Sequence, residues 1–385
     1  MLDDQTVINY NILNSPPFVK IIIDNGKKIR YNLFCGSSFS YVTLRVTKGL
    51  KDSLPAVQND GISYHIMRRV NKMFDITCVG IMVADVIAKP VDTLPGKGLL
   101  GLVDSIELYS GGNAMTASIN TSKLGLKSAL IGKIGNDSFG SFLKSMLKEN
   151  NVDATGVVVD ENLQTSASVA LSDSGGERTF LHVVGANGTF SIDDINWDII
   201  EKSKVIFVTG TYLMDTFDGN QTRDFLKRCK ELGKITALDV CWDSRKRWGE
   251  LLFDAMPYID IFLPSIDEAR EIAETDDLAE MSADFMRRGV KTVVIKLGKA
   301  GCYVRENLDK QIETFPPCAP HIVPVDTTGA GDSFCSGFLA AYVKGESLQN
   351  CAKFANAAGA ISVTAKGATT GMKTYDEVLK FMNEN

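Results

Sequence analysis

The stretch DTTGAGDSF at residues 326–334 decides which fold this chain is expected to adopt. It follows a short apolar run at residues 321–325 (HIVPV), which predicts a strand. It leads into residues 333–344 (SFCSGFLAAYVK), whose apolar spacing predicts a helix. Small residues in such a connection let backbone N–H groups approach an anion at the positive end of the helix dipole. The stretch therefore predicts an anion-binding loop.

Asp332 lies directly behind the small residues Gly329, Ala330 and Gly331. A carboxylate there can orient a hydroxyl and accept its proton as the oxygen attacks the terminal phosphate of a nucleotide. The stretch is not a Walker A loop, because no Gly-Lys-Ser/Thr follows it. The simpler alternative is a tight turn between a strand and a helix, which glycine-rich segments also form.

Composition is that of a globular enzyme rather than a nucleic-acid-binding or membrane protein. The 385 residues are 44% hydrophobic and 23% charged, with a net charge of −6, so the chain lacks a basic footprint for nucleic acid. Eight cysteines form no C-x-x-C pair, which predicts reduced thiols in a cytoplasmic protein. No apolar run approaches the roughly 20 residues of a membrane span, and no signal-peptide pattern is visible.

Residues 1–72 differ in charge from the remainder. They carry ten Lys/Arg against five Asp/Glu, whereas residues 73–385 carry 31 against 42. Residues 21–23 and 41–44 can form strands, but no repeat or helical period supports a domain. We interpret residues 1–72 as an N-terminal extension and hypothesise that Met73 is the native start, the upstream segment being misassigned. The alternative is a small or disordered appendage.

From residue 73 onward, apolar runs alternate with helical patterns, which predicts an α/β fold with a mostly parallel sheet and helices on both faces. The predicted strands are residues 76–80, 129–133, 205–209, 236–240, 259–263 and 292–297. The predicted helices are residues 113–124, 139–149, 192–201, 221–232, 266–274 and 278–288. Ligands of such folds bind beyond the carboxyl ends of the strands. At or just past such predicted ends lie Asp85, Gly111, Asp239 and Asp332.

Two regions break the parallel pattern. They are residues 102–109, and residues 166–171 with 178–184, which are joined through Asp-Ser-Gly-Gly at 173–176 and predict a β-hairpin. A lid over the site and a surface hairpin without function are both compatible with this pattern.

Several motifs, in this order, resemble those of the PfkB (ribokinase-like) family of carbohydrate kinases, and the resemblance covers about residues 73–385. The motifs are GIMVAD (80–85), SGG (110–112), GKIGND with FG (132–140), KLGKAG (296–301), DTTGAGD (326–332) and FANAAGAISVTAKGA (354–368). The resemblance implies a three-layer sandwich with a small β-sheet lid, formed by segments about 86–110 and 164–186. Such a lid covers the sugar and often pairs two subunits into a homodimer.

The resemblance also implies ATP-dependent phosphorylation of a sugar hydroxyl. Asp332 is then the base, and residues 329–331 stabilise the transferred group. Sugar contacts would come from Asp85, Gly111, Gly112, Asn113 and Asn187. From the residues alone, a helix cap at Asp85 and an ordinary turn at the glycines are equally acceptable.

The nucleotide and ion sites are likewise implied by the resemblance. ATP contacts fall on Lys296, Gly298, Gly301, Thr327 and Asn356. Magnesium falls on Glu268, acting through water, and a monovalent cation, such as potassium, falls on Asp326, Thr328, Val363 and Lys366. Close helix packing around residue 356 and a favourable helix dipole at residue 268 are the alternatives.

The substrate is the least specified feature. Val83, Thr116 and Asn113 depart from the ribokinase pattern, which disfavours a ribose pocket. Lys133 and Arg178 are the candidates for holding a sugar phosphate, but no Lys/Arg cluster surrounds them. We therefore favour an unphosphorylated sugar, ketose or sugar acid.

Three other functions stay in view. They are a nucleoside kinase, a silent sugar or nucleotide sensor suggested by Ser265 in place of a family Asn, and a dinucleotide-dependent oxidoreductase. The last lacks the G-x-G-x-x-G that it needs after the first strand.

Overall fold

The structure is a computed structural model that describes residues 74–385 except 176, 311 and 312. Among the first 73 residues it describes only the backbone of four strands. The proposed start at Met73 lies outside the described residues. The chain divides into two compact units, Met1–Arg68 and Arg69–Asn385.

The strands are β1 (Gln5–Tyr10), β2 (Val19–Asp24), β3 (Lys28–Cys35), β4 (Ser38–Arg45), β5 (Phe74–Gly80), β6 (Val83–Lys89), β7 (Ser105–Gly111), β8 (Ser128–Gly135), β9 (Asp153–Asp160), β10 (Ala167–Ser172), β11 (Arg178–Val183), β12 (Ser203–Thr211), β13 (Ile235–Val240), β14 (Ile261–Phe262), β15 (Thr292–Lys296), β16 (Cys302–Arg305) and β17 (Glu313–Phe315). The helices are α1 (Asn113–Lys123), α2 (Ser138–Glu149), α3 (Trp197–Glu201), α4 (Asn220–Glu231), α5 (Trp248–Leu252), α6 (Ile266–Ala273), α7 (Leu278–Arg287), α8 (Ala330–Val343), α9 (Leu348–Ser362) and α10 (Tyr375–Glu384).

Strands β1 to β4 of the first unit form an antiparallel sheet in chain order. Residues 21–23 and 41–44, which the sequence allows as strands, lie in β2 and β4. In the second unit, nine strands form one sheet in the order β17-β16-β15-β14-β13-β12-β5-β8-β9. Pairing is parallel from β15 through β9, and only β16 and β17 run antiparallel to their neighbours.

Two apolar cores, one on each face of this sheet, produce the three layers. Along β12, Val205 and Phe207 belong to one core, while Ile206 and Val208 belong to the other, as alternation in a strand requires. The first core includes residues of α1, α2, α8, α9 and α10, and the second includes residues of α3 to α7. Strands buried on both faces are almost continuously apolar, which is why the sequence pattern located β5, β8, β12, β13, β14 and β15. The strands β9, β16 and β17 of the same sheet were not predicted.

A second, four-stranded sheet in the order β11-β10-β6-β7 contains the segments for which a lid is predicted. We call it the lid sheet, and its covering role stays a prediction. Strands β10 and β11 pair antiparallel as the expected hairpin, and β6 pairs in parallel with β10. The lid sheet begins at Val83, earlier than the predicted segment 86–110. Asp85 therefore lies within the lid strand β6 and not at the end of the first core strand, which finishes at Gly80.

Two predicted elements are wrong. Residues 321–325 form no strand: Val323 and Val325 are exposed, Pro324 supplies no N–H, and the Val325 N–H donates to the Val363 carbonyl at 2.8 Å. The predicted helix 192–201 is a short 3-10 turn (Ile192–Asp194) followed by α3, because Ser191 and Asp194 form a capping box that closes the turn early.

No helix in the described part of the chain is long and apolar enough to cross a lipid bilayer.

Candidate active site

The anion-binding loop ends where α8 begins. Gly329 has φ 73°, and a Cβ at this position would lie 2.5 Å from the Ala368 side chain, so glycine is required on both grounds. The Ala330 N–H donates to the Thr327 carbonyl at 3.2 Å. Within the described residues, the N–H groups of Gly331 and Asp332 have no acceptor, as expected in the first turn of a helix. The loop thus presents two backbone donors at the positive end of α8.

Asp332 lies in this first turn and reaches across to another helix. Its Oδ1 accepts a hydrogen bond from Asn113 Nδ2 at 2.8 Å. Burial raises the pKa of Asp332 to about 7, and the negative charges of Asp239 and Glu268 act in the same direction. The hydrogen bond from Asn113 opposes this rise. A carboxyl group with a pKa near neutrality is suited to accept a proton from a hydroxyl.

Asn113 is itself oriented by a thiol. Cys241 Sγ donates to Asn113 Oδ1 at 3.1 Å, which leaves the Asn113 amide hydrogens for Asp332. Burial raises the pKa of Cys241 well above its ordinary value, and the neighbouring Asp239 carboxylate reinforces this, so the thiol keeps its proton. No local sequence pattern predicts this contact, because Cys241 and Asn113 are 128 residues apart.

A buried ion pair lies behind the loop. Lys296 Nζ is 2.7 Å from Asp239 Oδ1, and the two side chains are 12% and 1% exposed. The ammonium is 3.7 Å from where a Cβ of Gly331 would stand, so it lies beside the first turn of α8. Burial opposes the charge of Lys296, but the Asp239 carboxylate outweighs it and raises the pKa of Lys296 well above its ordinary value. Asp239 lies at the carboxyl end of β13, where sequence reasoning placed it without giving it a partner.

Asp85 and Gly111 lie on the neighbouring lid strands β6 and β7. A Cβ on Gly111 would lie 1.9 Å from Asp85 Oδ2, so the carboxylate occupies the space that a side chain would need. Gly112 has φ 87° and also lies against the backbone of Ile81 and Val83. Burial raises the pKa of Asp85 to about 6. The predicted substrate residues Asp85, Gly111, Gly112 and Asn113 are therefore brought together in one place.

Asn187 is used structurally. Its Nδ2 donates to the Met82 carbonyl at 2.9 Å, and its Oδ1 accepts from the Met82 N–H at 3.3 Å. Asn187 thereby fixes the backbone that enters the lid, and its contact with a substrate stays a prediction. Lys133 is engaged by Asp160 and Asp194 at 3.5 and 3.4 Å, and the Arg178 side chain lies outside what the structure describes.

The residues assigned to ATP surround the end of β15. Gly298 and Gly301 have φ 57° and 92°, and a Cβ on Gly301 would lie 2.1 Å from the Phe315 carbonyl oxygen. Asn356 Nδ2 donates to the carbonyls of Phe315 and Pro316 at 3.3 and 2.8 Å. Asn356 therefore holds this loop in place, and a role toward the nucleotide base stays a prediction.

Glu268 closes the capping box of α6 with Ser265 and is one carboxylate near the Asp239 and Lys296 pair. Among the described residues no group of three or more metal-ligating side chains is arranged to hold a metal. This arrangement fits magnesium held mainly by phosphates and water, with Glu268 in its outer sphere.

The residues proposed for a monovalent cation are close together. Asp326 accepts from the Thr328 N–H at 2.8 Å and from the Gly367 N–H at 3.0 Å, and its own N–H donates to the Val363 carbonyl at 3.3 Å. The carboxylate thus ties the anion-binding loop to residues 363–367. Oxygen atoms are present here for a cation, which fits the implied site.

The family model described as pfkB family carbohydrate kinase matches residues 73–375. A probable fructokinase-3 of Arabidopsis thaliana is 29% identical over 290 residues, covering 71% of this chain and 83% of the relative. The ribokinase of Haemophilus influenzae is 28% identical over 316 residues, covering 80% and 98%.

Solved structures agree. That of Arabidopsis thaliana ribokinase complexed with ribose and ATP matches with a TM-score of 0.69 at 25% identity, covering 80% of this chain and 98% of that chain. The predicted family and the ribokinase-like α/β fold are confirmed.

The first test concerns the buried ion pair. Replacing Lys296 by Met leaves the Asp239 charge buried and unpaired, so the free energy of unfolding should fall by about 3–5 kcal/mol. Adding Asp239→Asn should recover most of this loss. Urea denaturation followed by circular dichroism measures both values.

The control for that test is Arg287→Met, which breaks an ion pair with Glu280 whose side chains are 50% and 56% exposed. This change should cost no more than about 1 kcal/mol. An equal loss in the Lys296 and Arg287 variants would show that the buried pair has no special role.

Proposed function

Because the chain belongs to the pfkB family of carbohydrate kinases, we propose that it transfers the terminal phosphoryl group of ATP to a hydroxyl of an unphosphorylated sugar, ketose or sugar acid. The observation that carries this proposal is Asp332, a carboxylate with a raised pKa in the same helical turn as two free N–H donors. The names of the relatives, fructokinases and a ribokinase, support a sugar as acceptor.

In this reaction Asp332 receives the proton of the acceptor hydroxyl. The hydroxyl oxygen then forms a bond to the terminal phosphorus, and the bond from that phosphorus to the departing diphosphate oxygen breaks. The N–H groups of Gly331 and Asp332 point to where negative charge gathers on the transferred group, which lowers the barrier electrostatically. Lys296 adds a positive charge beside the same turn.

ATP is the proposed phosphoryl donor, and magnesium is the proposed metal cofactor. The ATP assignment rests on the residues around the end of β15, together with a neighbouring ribokinase solved with ribose and ATP. Glu268 would hold magnesium through water, and the bound ion would neutralise the negative charges of the phosphates. Closure of the lid over the acceptor would exclude water as a competing nucleophile.

The central prediction concerns Asp332. Asp332→Asn should lower kcat by about 10²–10⁴-fold, because the amide cannot accept the hydroxyl proton, while ATP binding measured by calorimetry stays within about threefold. In the wild type only the carboxylate form acts as base. The rate constant kcat/KM should therefore fall as pH drops below about 7, the pKa of Asp332.

Asp376→Asn provides the control, since Asp376 is an exposed carboxylate in the first turn of α10. ADP release should be measured with ATP, magnesium and a panel of hexoses, pentoses, ketoses, sugar acids and nucleosides. Preference for a nucleoside would redirect the proposal to a nucleoside kinase. ATP binding without turnover of any compound would identify a sensor instead.

A monovalent cation should order the loop tied by Asp326. We expect activity in potassium chloride to exceed activity in tetramethylammonium chloride several-fold at equal ionic strength, because the organic cation is too bulky for a site of carbonyl and carboxylate oxygens. Equal rates in the two salts would rule out the cation site.

The outer face of the lid is proposed to join two copies of the chain. By strand alternation Ile106, Leu108, Val169 and Leu181 share this face, and they are 69%, 39%, 37% and 66% exposed. A contiguous exposed apolar surface of this kind is typical of an interface.

Light scattering of the full chain should give the mass of two chains, and Ile106→Lys with Leu181→Lys should reduce it to one. Leu379→Lys, at a residue of α10 that is 37% exposed, is the control and should leave the mass unchanged. A single-chain mass in the unmodified protein would refute the interface.

A further inference from the structure

Four polar side chains lie in one row across the lid. The strand registers pair Tyr109 with Asp85, Asp85 with Ser168, and Ser168 with His182, so the row crosses all four strands. Residues paired in register project from the same face of a sheet. This is the face opposite to the exposed apolar residues Ile106 and Leu181.

The row faces the active site. Asp85 Oδ2 lies against Gly111, two residues before Asn113, whose amide donates to Asp332. The Tyr109 ring lies 2.7 Å from where a Cβ of Gly367 would stand, and the Gly367 N–H donates to Asp326. The row therefore borders both the anion-binding loop that ends at Asp332 and the segment that leads to Asn113.

The direction of the hydrogen bonds along the row follows from chemistry. Ser168 forms a hydrogen bond with the Asp85 carboxylate, and its single hydroxyl proton must go there because a carboxylate only accepts. His182 Nδ1 is 3.0 Å from Ser168 Oγ, which then has lone pairs but no proton left to offer. Nδ1 consequently carries the hydrogen, and Nε2 of the neutral ring is an acceptor.

The row thus presents acceptors to the cleft. Asp85 and His182 Nε2 can each accept a hydrogen bond from a hydroxyl group of the ligand. A ligand carboxylate would instead meet the like charge of Asp85 and the lone pair of His182 Nε2. Lys89 is the cation on the same face of β6, four residues along from Asp85. This separation corresponds to about 13 Å, so Lys89 does not serve this row.

We infer that Ser168 and His182 determine the specificity of the phosphoryl acceptor, and that the acceptor is a neutral polyhydroxyl sugar and not a sugar acid. This inference rests on the proposed kinase function, which it narrows. His182 accepts a hydrogen bond from a sugar hydroxyl at Nε2. Ser168 acts as a positioning residue that fixes the tautomer of His182 and links its ring to Asp85.

The test compares neutral sugars with a sugar acid on the full chain. With ATP and magnesium, D-fructose or D-ribose should give a kcat/KM at least tenfold higher than D-gluconate. His182→Ala should raise KM for the neutral sugar about tenfold, the effect of one lost hydrogen bond, with kcat within about twofold. His182→Gln, which can present an amide oxygen, should recover part of the loss.

Thr179→Ala is the matched control, because Thr179 lies on the same strand and projects from the opposite face. It should leave KM unchanged. A KM shift in Thr179→Ala equal to that in His182→Ala, or a preference for D-gluconate, would overturn the inference.

Calorimetric titration separates this inference from the kinase proposal. If no sugar is phosphorylated, the kinase proposal fails. The assignment of His182 to sugar binding is still supported if D-fructose or D-ribose binds the wild type and binds His182→Ala about tenfold more weakly. Binding of D-gluconate but of neither neutral sugar, or binding of none of the three, would overturn it.

Discussion

Lys296 Nζ lies 2.7 Å from Asp239 Oδ1 behind the first turn of α8, and the remainder of the site is arranged around this pair. Both charges are buried, so each needs the other to remain ionised. Because the ammonium also lies beside Gly331, the pair connects the carboxyl ends of β13 and β15 with the start of the helix that carries Asp332. One contact therefore sets both the position of the anion-binding loop and the local charge.

The proton affinity of Asp332 is a balance of groups from distant parts of the chain. Burial and the charges of Asp239 and Glu268 raise its pKa, while Asn113 and Lys296 lower it. Asn113 exerts its effect because Cys241 occupies its carbonyl oxygen and leaves the amide hydrogens for Asp332. The carboxyl group is thus held where a small change in its surroundings moves it between acid and base.

Local sequence patterns predicted most of the architecture, because apolar runs indicate strands buried on both faces and small residues indicate tight turns. They failed at residues 321–325, where the apolar run is exposed and the backbone bonds to Val363 instead. They also missed the partner of Asp239, since Lys296 follows it by 57 residues and only the parallel sheet makes the two side chains meet. Similarly, the amides of Asn187 and Asn356 bond to distant backbone groups, which no local pattern reveals.

In the proposed function, the phosphoryl transfer and the selection of the acceptor are carried by different sheets. Asp332, Lys296 and the free N–H groups belong to the large sheet and its helices, whereas Asp85, Ser168 and His182 belong to the lid. The two parts meet at Gly367, where the Tyr109 ring of the lid leaves no room for a side chain. Side chains elsewhere on the inner face of the lid can therefore change without disturbing the groups that transfer the phosphoryl.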